Sequence, residues 1–589
     1  MPSSMLAVLR SPTRRSVTLA LLLLTAACTS DSEPGELPLF PAGWSYSESA
    51  EPVQGASGMV VSTDRLASRV GIEVLQAGGN AVDAVVAVQF ALAVVNPEAG
   101  NIGGGGFMVV RMADGAEAAL DYREKAPLAA TRDMFLDEQG ELTDKSLVGH
   151  LAAGVPGTVA GMWAAHQRFG TMPWADLVQP AVELAEGFVV TQRFLGSLSS
   201  DMVESLSAFE ASAAQFLPND GMPPRVGDTL RQPDLAATLA RIREQGSDGF
   251  YAGETANLLV AEMERGRGII THQDLARYEA AWREVVSFTY RGHQIISMPP
   301  SSSGGVTMAE IANILERYEL GSLPWHGPEM IHLYAEAFKR AYADRNHSLA
   351  DPDYVEMPLE RMTSSRYAAE RAATIRTDMA TPSADIGPGM DGDDEGENTT
   401  HFSIVDSDGN AAAVTTTINS WYGSKVTVTG AGIVLNNEMD DFSAKPGTPN
   451  QFGLVQGENN AVGPGKRMLS AMSPSIVVDP DGSLKMVTGT PGGSSIITTV
   501  FQTISNVLDY GMNVVQAVNA PRVHHQHLPD QIFYERAGLE PATTLALRGL
   551  GHTLMERSGV SGDAQMILVE GGVLTGWSDP RRGGRAIGY

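Results

Sequence analysis

The 589-residue sequence changes character close to residue 399, and this change constrains the fold more than any other feature. Before it, segments such as 81–95 carry apolar residues at helical spacing. After it, residues 401–405 and 411–419 predict two strands that are joined by the turn 406–410. The two kinds of segment together predict a mixed α and β fold in which Thr399 lies at the beginning of a strand.

Thr399 is a candidate nucleophile because of this position. A threonine hydroxyl is a weak nucleophile at neutral pH, but a threonine with a free α-amino group carries its own base. Breaking the Asn398–Thr399 bond would free that group, and the charged, glycine-containing segment 391–397 is the kind of loop that such a reaction needs. The alternative is ordinary β-structure, in which threonine is favoured for packing.

The charge of the chain excludes some classes of partner. It has 41 basic and 69 acidic residues and a net charge of −28. A nucleic acid or an anionic membrane surface would be repelled by this charge. At this length, a hydrophobic content of 43% is enough for a large core. We therefore expect a globular protein with no nucleic acid partner.

The N-terminus has the pattern of an export signal. Three arginines among the first 15 residues precede the apolar run 17–24, which is followed by small residues and by Cys28, the only cysteine. A run of eight residues is too short to cross a bilayer as a helix. We therefore expect export without a transmembrane anchor.

Residues 24–28 resemble a bacterial lipobox, in which the cysteine is lipidated and becomes the mature N-terminus. Thr25 stands where a larger aliphatic residue is usual. Residues 1–28 are thus predicted to be a signal with lipidation at Cys28, and 29–57 a tether, which places the protein in the periplasm or on the outer membrane. A simple cleaved signal with an incidental cysteine is the alternative.

Acyl transfer from an amide needs a nucleophile, a proton acceptor, donors for the oxyanion and groups that hold the acyl donor. Gly492 and Gly493 follow a proline and precede the predicted helix 494–508, so their N–H groups could stabilise an oxyanion at a helix N-terminus. Thr417, on the second predicted strand, could bond to Thr399. The alternatives are a simple strand-to-helix turn and an ordinary strand threonine.

Two further segments carry the charges that would hold a donor. Residues 435–442 place three carboxylates between apolar residues, which suits an ammonium pocket, a calcium loop or a solvated acidic turn. The spacing lacks the acidic ligand pattern of a helix-loop-helix calcium site. Arg123 could grip a carboxylate with its planar guanidinium, and a surface ion pair is its alternative role.

The order of these motifs closely resembles the gamma-glutamyltranspeptidase family from about residue 58 to the C-terminus. The matching positions are Arg123, 399–401, Thr417, Asn419, 436–442, 463–467 and 491–493, with further matches at 78–84, 101–107 and 519–525. So many ordered motifs make a chance resemblance improbable.

The resemblance implies an N-terminal nucleophile hydrolase fold of the α+β class, a four-layer α-β-β-α sandwich. It also implies a precursor that cuts itself before Thr399. The large subunit, 58–398, and the small subunit, 399–589, would then form one interleaved heterodimer. No metal or organic cofactor is implied.

The resemblance also implies a role for each matched residue. Thr399 would be the nucleophile, Thr417 would support it, and Gly492 and Gly493 would form the oxyanion hole. The γ-glutamyl α-carboxylate would be held by Arg123 and Ser470, and the α-ammonium by Asn419, Glu438 and Asp441.

Two positions depart from the family pattern. Ala471 replaces the second serine of a usual Ser-Ser pair, so one hydroxyl donor is missing. Phe452 stands where a tyrosine is common in 446–457, the segment that matches a lid over the site. We expect altered substrate affinity or specificity, and a lid that lacks one hydroxyl hydrogen bond.

The sequence therefore predicts an exported hydrolase and transferase of glutathione-like γ-glutamyl amides. The acyl group would pass from Thr399 to water or to an amino acid or peptide amine. A cephalosporin (glutaryl) acylase and a γ-polyglutamate-processing enzyme are the alternatives within the superfamily. A catalytically silent, peptide-binding lipoprotein is the alternative of a different class.

Overall fold

The computed structural model describes residues 38–100, 102–387, 399–559 and 561–589. Cys28 with the predicted signal, Asn101 and Asn398 lie outside the described residues. The strands are, in chain order, β1 Val53–Gly55, β2 Met59–Ser62, β3 Gly105–Arg111, β4 Glu117–Asp121, β5 Phe188–Val189, β6 Thr229–Leu230, β7 Ala281–Arg283, β8 Val286–Tyr290, β9 His293–Ser297, β10 Thr400–Val405, β11 Ala411–Thr417, β12 Ser475–Val478, β13 Leu484–Gly489, β14 Val523–His524, β15 Ile532–Glu535, β16 Leu554–Arg557, β17 Gln565–Glu570, β18 Val573–Ser578 and β19 Arg585–Gly588.

Two seven-stranded sheets form the centre of the fold. The first has the order β1-β18-β17-β13-β12-β9-β8 and the second the order β19-β2-β10-β11-β3-β4-β7. Neighbouring strands in both are antiparallel, as in the pair Thr400↔Thr416 between β10 and β11. Strands β10 and β11 pack against β13 and β17, so the two sheets lie face to face.

The helices are, in chain order, α1 Arg65–Gln76, α2 Ala81–Val95, α3 Thr158–Phe169, α4 Trp174–Glu186, α5 Gln192–Gly196, α6 Ser200–Ser207, α7 Glu210–Phe216, α8 Pro233–Gln245, α9 Asp248–Tyr251, α10 Gly253–Gly266, α11 His272–Ala276, α12 Gly304–Leu315, α13 Pro328–Ser348, α14 Leu359–Met362, α15 Ser365–Ala372, α16 Ile496–Leu508, α17 Val514–Asn519 and α18 Pro541–Gly549. Two small sheets, β14-β15-β16 and β5-β6, accompany the two large ones.

Helices cover the outer face of each large sheet. The second sheet is covered by α1, α2 and α3, and the first by α12, α16 and α17. Every residue of α2 is buried, because apolar residues surround the helix and Asp83 and Gln89 are its two polar residues. The capping box of Asn80 and Asp83 fixes the beginning of this helix. The layers are therefore helix, sheet, sheet and helix, which confirms the predicted α-β-β-α sandwich.

The predicted hairpin is confirmed and positions Thr399. All residues of β10 and β11 are buried, because this pair has one sheet neighbour on each side and layers above and below. β11 ends at Thr417, two residues before the predicted end. Thr399 precedes β10 directly, at the end of a strand in the middle of the second sheet.

The predicted tether needs a correction at its C-terminal boundary. The compact unit begins at Phe40, and β1, which lies within the predicted tether 29–57, pairs with β18 at the edge of the first sheet. Strand pairing between residues so far apart is invisible to local composition. Among the described residues, no helix has the length and apolar character to cross a membrane.

Candidate active site

Thr399 and Thr417 meet at the point where the hairpin begins and ends. The Thr399 hydroxyl donates to the Thr417 hydroxyl oxygen, with the two atoms 3.4 Å apart. The backbone N–H of Asn419 donates to the same Thr417 oxygen at 2.8 Å. Thr399 is 6% exposed. Thr417 therefore lies within hydrogen-bond distance of Thr399, and its supporting role stays a prediction.

One small cavity of about 20 Å³ brings the predicted site residues together. Its lining includes Arg123, Thr399, Thr417, Asn419, Glu438, Asp441, Ser470 and Gly493. These side chains come from both predicted subunits, on either side of residue 399. Gly492 is adjacent to the lining residue Gly493.

Gly492 and Gly493 form the turn between β13 and α16. Their φ angles are +137° and +52°, in the region that favours glycine. A Cβ on Gly492 would come within 2.9 Å of the Ser495 hydroxyl. The 3₁₀ turn Gly493–Ser495 runs directly into α16, so the positive end of the helix dipole points at this turn. An oxyanion beside the turn would be stabilised.

Arg123 is buried between two carboxylates of the 3₁₀ turn Glu438–Asp441. One guanidinium nitrogen donates to Glu438 and another to Asp441, while Nε donates to the Met468 carbonyl at 3.3 Å. Arg123 is 1% exposed, so the surface ion pair considered for it is wrong. The cationic and anionic groups predicted for donor binding therefore lie in direct contact.

Burial dominates the electrostatics of this cluster. It raises the pKa of Glu438 and of Asp441, and the charge of Arg123 opposes both shifts. Glu124 lies 3.8 Å from the Arg123 Nη1 atom, and burial raises its pKa to about 8. Three carboxyl groups thus surround one guanidinium. The cluster has a surplus of acidic groups that an ammonium ion would match.

Asn419 and Ser470 complete the polar wall. Asn419 has a φ of +69°, and its side-chain amide donates to the Asn437 carbonyl at 3.0 Å. The Ser470 oxygen accepts the Met472 N–H at 3.1 Å, and its backbone N–H donates to the Ser301 carbonyl at 3.0 Å. Both side chains are therefore fixed in place at the cavity wall.

Arg345 lines the same cavity and was missed by the sequence analysis. It lies on α13, is fully buried, and donates to the Ser303 hydroxyl and the Asn346 side chain, both at 2.8 Å. Burial lowers its pKa. Among the described residues, no carboxylate lies within ion-pair distance of it. Its own sequence context, an arginine within a helical segment, does not distinguish it from a surface residue.

The segment 446–457 covers one side of the cavity. Phe452, which is 4% exposed, and Leu454 contribute to the lining. The Gln451 N–H donates to Asp440 at 3.1 Å, and the Ser420 hydroxyl donates to the Gln451 side chain at 2.7 Å. Gln451 thus attaches the lid. It precedes Phe452, which lacks the hydroxyl of the tyrosine that is common at this position.

Comparison with known proteins gives concordant matches. The model of the family described as gamma-glutamyltranspeptidase matches residues 67–589. A glutathione hydrolase proenzyme of Escherichia coli K12 is 47% identical over 562 residues, covering 95% of this chain and 96% of that protein. An acylase ACY 1 proenzyme of Pseudomonas sp. SE83 is 37% identical over 535 residues, covering 89% of this chain and 92% of that protein.

Solved structures match as well. Cephalosporin acylase from Bacillus halodurans has a TM-score of 0.80 and 27% identity, covering 94% of this chain and 99% of that chain. Helicobacter pylori gamma-glutamyltranspeptidase has a TM-score of 0.54 and 46% identity, covering 55% of this chain and 93% of that chain.

Proposed function

The chain belongs to the gamma-glutamyltranspeptidase family, and we propose that it cleaves glutathione and related γ-glutamyl amides through an acyl-enzyme on Thr399. The acyl group passes to water or to the amine of an amino acid or peptide. The observation that carries the proposal is the single cavity in which Thr399 lies beside both Arg123 and the acidic turn Glu438–Asp441.

The first step is scission of the Asn398–Thr399 bond by the chain itself. The Thr399 hydroxyl oxygen attacks the Asn398 carbonyl carbon, and the C–N bond breaks as its nitrogen takes the hydroxyl proton. Water then hydrolyses the resulting ester, which leaves a large subunit that ends at 398 and a small subunit, 399–589, with a free α-amino group. The two subunits remain associated as a heterodimer, because β10 and β11 of the small subunit lie between β2 and β3 of the large subunit.

In the acylation step, the Thr399 amine accepts the hydroxyl proton while the oxygen attacks the γ-carbonyl carbon of the donor. The C=O electrons move to the oxygen, and the N–H groups of Gly492 and Gly493 stabilise the oxyanion. The intermediate collapses, the C–N bond breaks, and the proton on the Thr399 ammonium passes to the leaving amine. Attack by water or an acceptor amine reverses these steps and restores Thr399.

When the donor binds, its head group replaces the ion pairs between Arg123 and the two acidic residues with new ion pairs to the donor. Its α-carboxylate binds Arg123 with the Ser470 hydroxyl, and its α-ammonium binds Glu438, Asp441 and the Asn419 side chain. Arg345 adds a second positive charge to the cavity and interacts electrostatically with Asp441. A glutaryl donor has no ammonium, so it would leave buried acids without a partner.

A glutaryl or cephalosporin acylase is the second candidate, favoured by the likeness to the Bacillus halodurans structure and by the 37% identical acylase. Initial rates with a γ-glutamyl anilide and with the matching glutaryl anilide separate the two candidates. We expect a γ-glutamyl preference of about 100-fold, from the loss of charged hydrogen bonds. A preference for glutaryl would overturn the assignment.

Export and lipidation at Cys28 are also proposed, since the sequence pattern supports them. Metabolic labelling with a radioactive fatty acid tests this point. Wild type should carry the label and the Cys28→Ala variant should not. An unlabelled wild type that is still exported would indicate a simple cleaved signal instead.

A further inference from the structure

Three buried charged residues on α13 bind one short stretch of chain. Glu336 pairs with Lys339 and Arg340, at 2.8 and 2.7 Å, and all three side chains are at most 1% exposed. Lys339 donates to the Thr381 carbonyl at 2.6 Å, and the Thr381 N–H donates to Glu336 at 3.0 Å. These buried charges are therefore satisfied in part by the backbone of residue 381.

The same helix binds the chain just before this point. Arg340 donates to the Thr374 hydroxyl and to the Thr374 carbonyl, both at 2.8 Å. His332 Nε2 donates to the Arg376 carbonyl at 2.6 Å. Residues 374–381 are thus hydrogen-bonded to α13, mainly through their backbone groups.

The next residues are bound by the small subunit. The Ser383 N–H donates to Asp530 at 2.8 Å, and the Ser383 hydroxyl donates to the His527 carbonyl at 2.6 Å. The His527 ring Nε2 lies 3.0 Å from the Ser383 carbonyl and 2.9 Å from the Ile386 carbonyl, to which it donates. Residues 374–387 therefore bridge a helix of the large subunit and a loop of the small one.

A metal site is the competing use of part of this cluster. Ligand atoms of His332, Glu336 and His552 all lie within 4.8 Å of one another. His332 Nδ1, however, is bonded to His552 Nε2 at 2.8 Å, and its Nε2 carries the proton given to the Arg376 carbonyl. Glu336 already faces two cations. The donor atoms are thus committed, and a third cation would be repelled.

We propose that Glu336, Lys339, Arg340, His527 and Asp530 form a clamp that keeps 374–387, a segment close to the end of the large subunit, docked on the small subunit after scission. The clamp rests on the proposed function, because a large-subunit end exists only when the chain is cut. Lys339 and Arg340 keep Glu336 charged within the clamp. Burial alone would raise the pKa of Glu336, but the two cations hold this pKa at about 2. Chain ends usually fray unless they are bound in this way.

Limited digestion with trypsin tests the clamp, because Arg376 is 54% exposed and lies inside the docked segment. The test variants are Asp530→Ala and the double variant Asp530→Ala with His527→Ala, both in the small subunit. We expect cleavage after Arg376 to accelerate about 10-fold in the double variant, since local opening becomes easier. The urea concentration that separates the subunits should fall as well.

The matched control is Asp479→Ala, which removes a carboxylate oxygen 2.9 Å from His293 Nδ1 on another part of the surface. It should leave the cleavage rate at Arg376 unchanged, and none of the variants should change the rate with a γ-glutamyl anilide. Asp530 is 41% exposed, so the single variant is expected to fold if the double variant does not. Unchanged cleavage in every folded Asp530 variant would overturn the proposal.

A denaturing gel of each sample separates this outcome from failure of the proposed function. Two bands establish scission independently of the clamp. One band would count against self-processing, and the trypsin comparison would still report on the segment because Arg376 precedes the junction.

Discussion

Arg123 and Glu438, 315 residues apart in the chain, form a buried ion pair in the wall of the cavity that contains Thr399. Each side chain is 1% exposed. A buried charge that loses its partner is costly, so the pair can open only if a ligand supplies replacement charges. The γ-glutamyl head group of the proposed donor, with one carboxylate and one ammonium, would supply both.

The Glu438→Gln variant tests this exchange. We expect kcat/KM for a γ-glutamyl anilide to fall about 10- to 100-fold, because losing a hydrogen bond to a charged group costs about 1.5–3 kcal/mol. The change should appear mainly in KM, and scission should continue. Glu458→Gln, which alters an exposed pair with Arg132, is the control and should behave as wild type. An unchanged KM in Glu438→Gln would contradict the assigned role.

Ala471→Ser restores the hydroxyl that the family pattern predicts at this position. Ala471 is 8% exposed and lines the cavity, so a serine there would face the donor. One added hydrogen bond of about 1 kcal/mol predicts a kcat/KM about 5-fold higher. Steady-state kinetics with the same anilide measure this change. A lower value would show that the cavity has been repacked around alanine.

Gln451 and Ser420 attach the lid through one shared hydrogen bond, and the Ser420 hydroxyl oxygen also accepts the Asn437 side-chain N–H at 3.0 Å. We expect Gln451→Ala and Ser420→Ala each to raise the donor KM about 5-fold, since each removes the 2.7 Å hydrogen bond between them. The double variant should add little to either single variant, because residues that act as a pair are not additive. Fully additive effects would mean that the two residues act separately.

Glu124 should govern part of the pH dependence. Its pKa of about 8 means that the carboxyl is neutral below this pH and charged above it. The new negative charge, 3.8 Å from Arg123, then competes with the donor carboxylate. Wild-type KM should therefore rise between about pH 7 and pH 9, and Glu124→Gln should reduce this rise. Identical KM profiles for the two proteins would show that other groups titrate.

The sequence predicted the local elements well where periodicity was strong. The hairpin of β10 and β11 and the helix after Gly493 were found within about two residues, as expected for strong patterns. Strand β1 was placed in a tether, because its three residues gain their strand structure from pairing with β18. The family resemblance assigned Arg123 and Glu438 to one donor site, but their direct contact was not predicted, since no periodicity connects residues so far apart.

Arg345 and the clamp on 374–387 were not predicted. Arg345 reaches the cavity because α13 packs on α12, a tertiary contact that its own sequence does not signal. The clamp combines α13 with a loop near residue 530, and its bonds go mainly to backbone groups. Backbone partners leave no pattern of residue types, so sequence reasoning had nothing to detect.

The most direct test of the account is N-terminal sequencing of the fragments of purified, active protein. The intact chain has a mass of 62.4 kDa. We predict two fragments, with the smaller one beginning at Thr399, and a single uncut chain without activity for Thr399→Ala. Full activity in an uncut chain, or a smaller fragment that begins elsewhere, would contradict the claim that the free amine of Thr399 is the catalytic base.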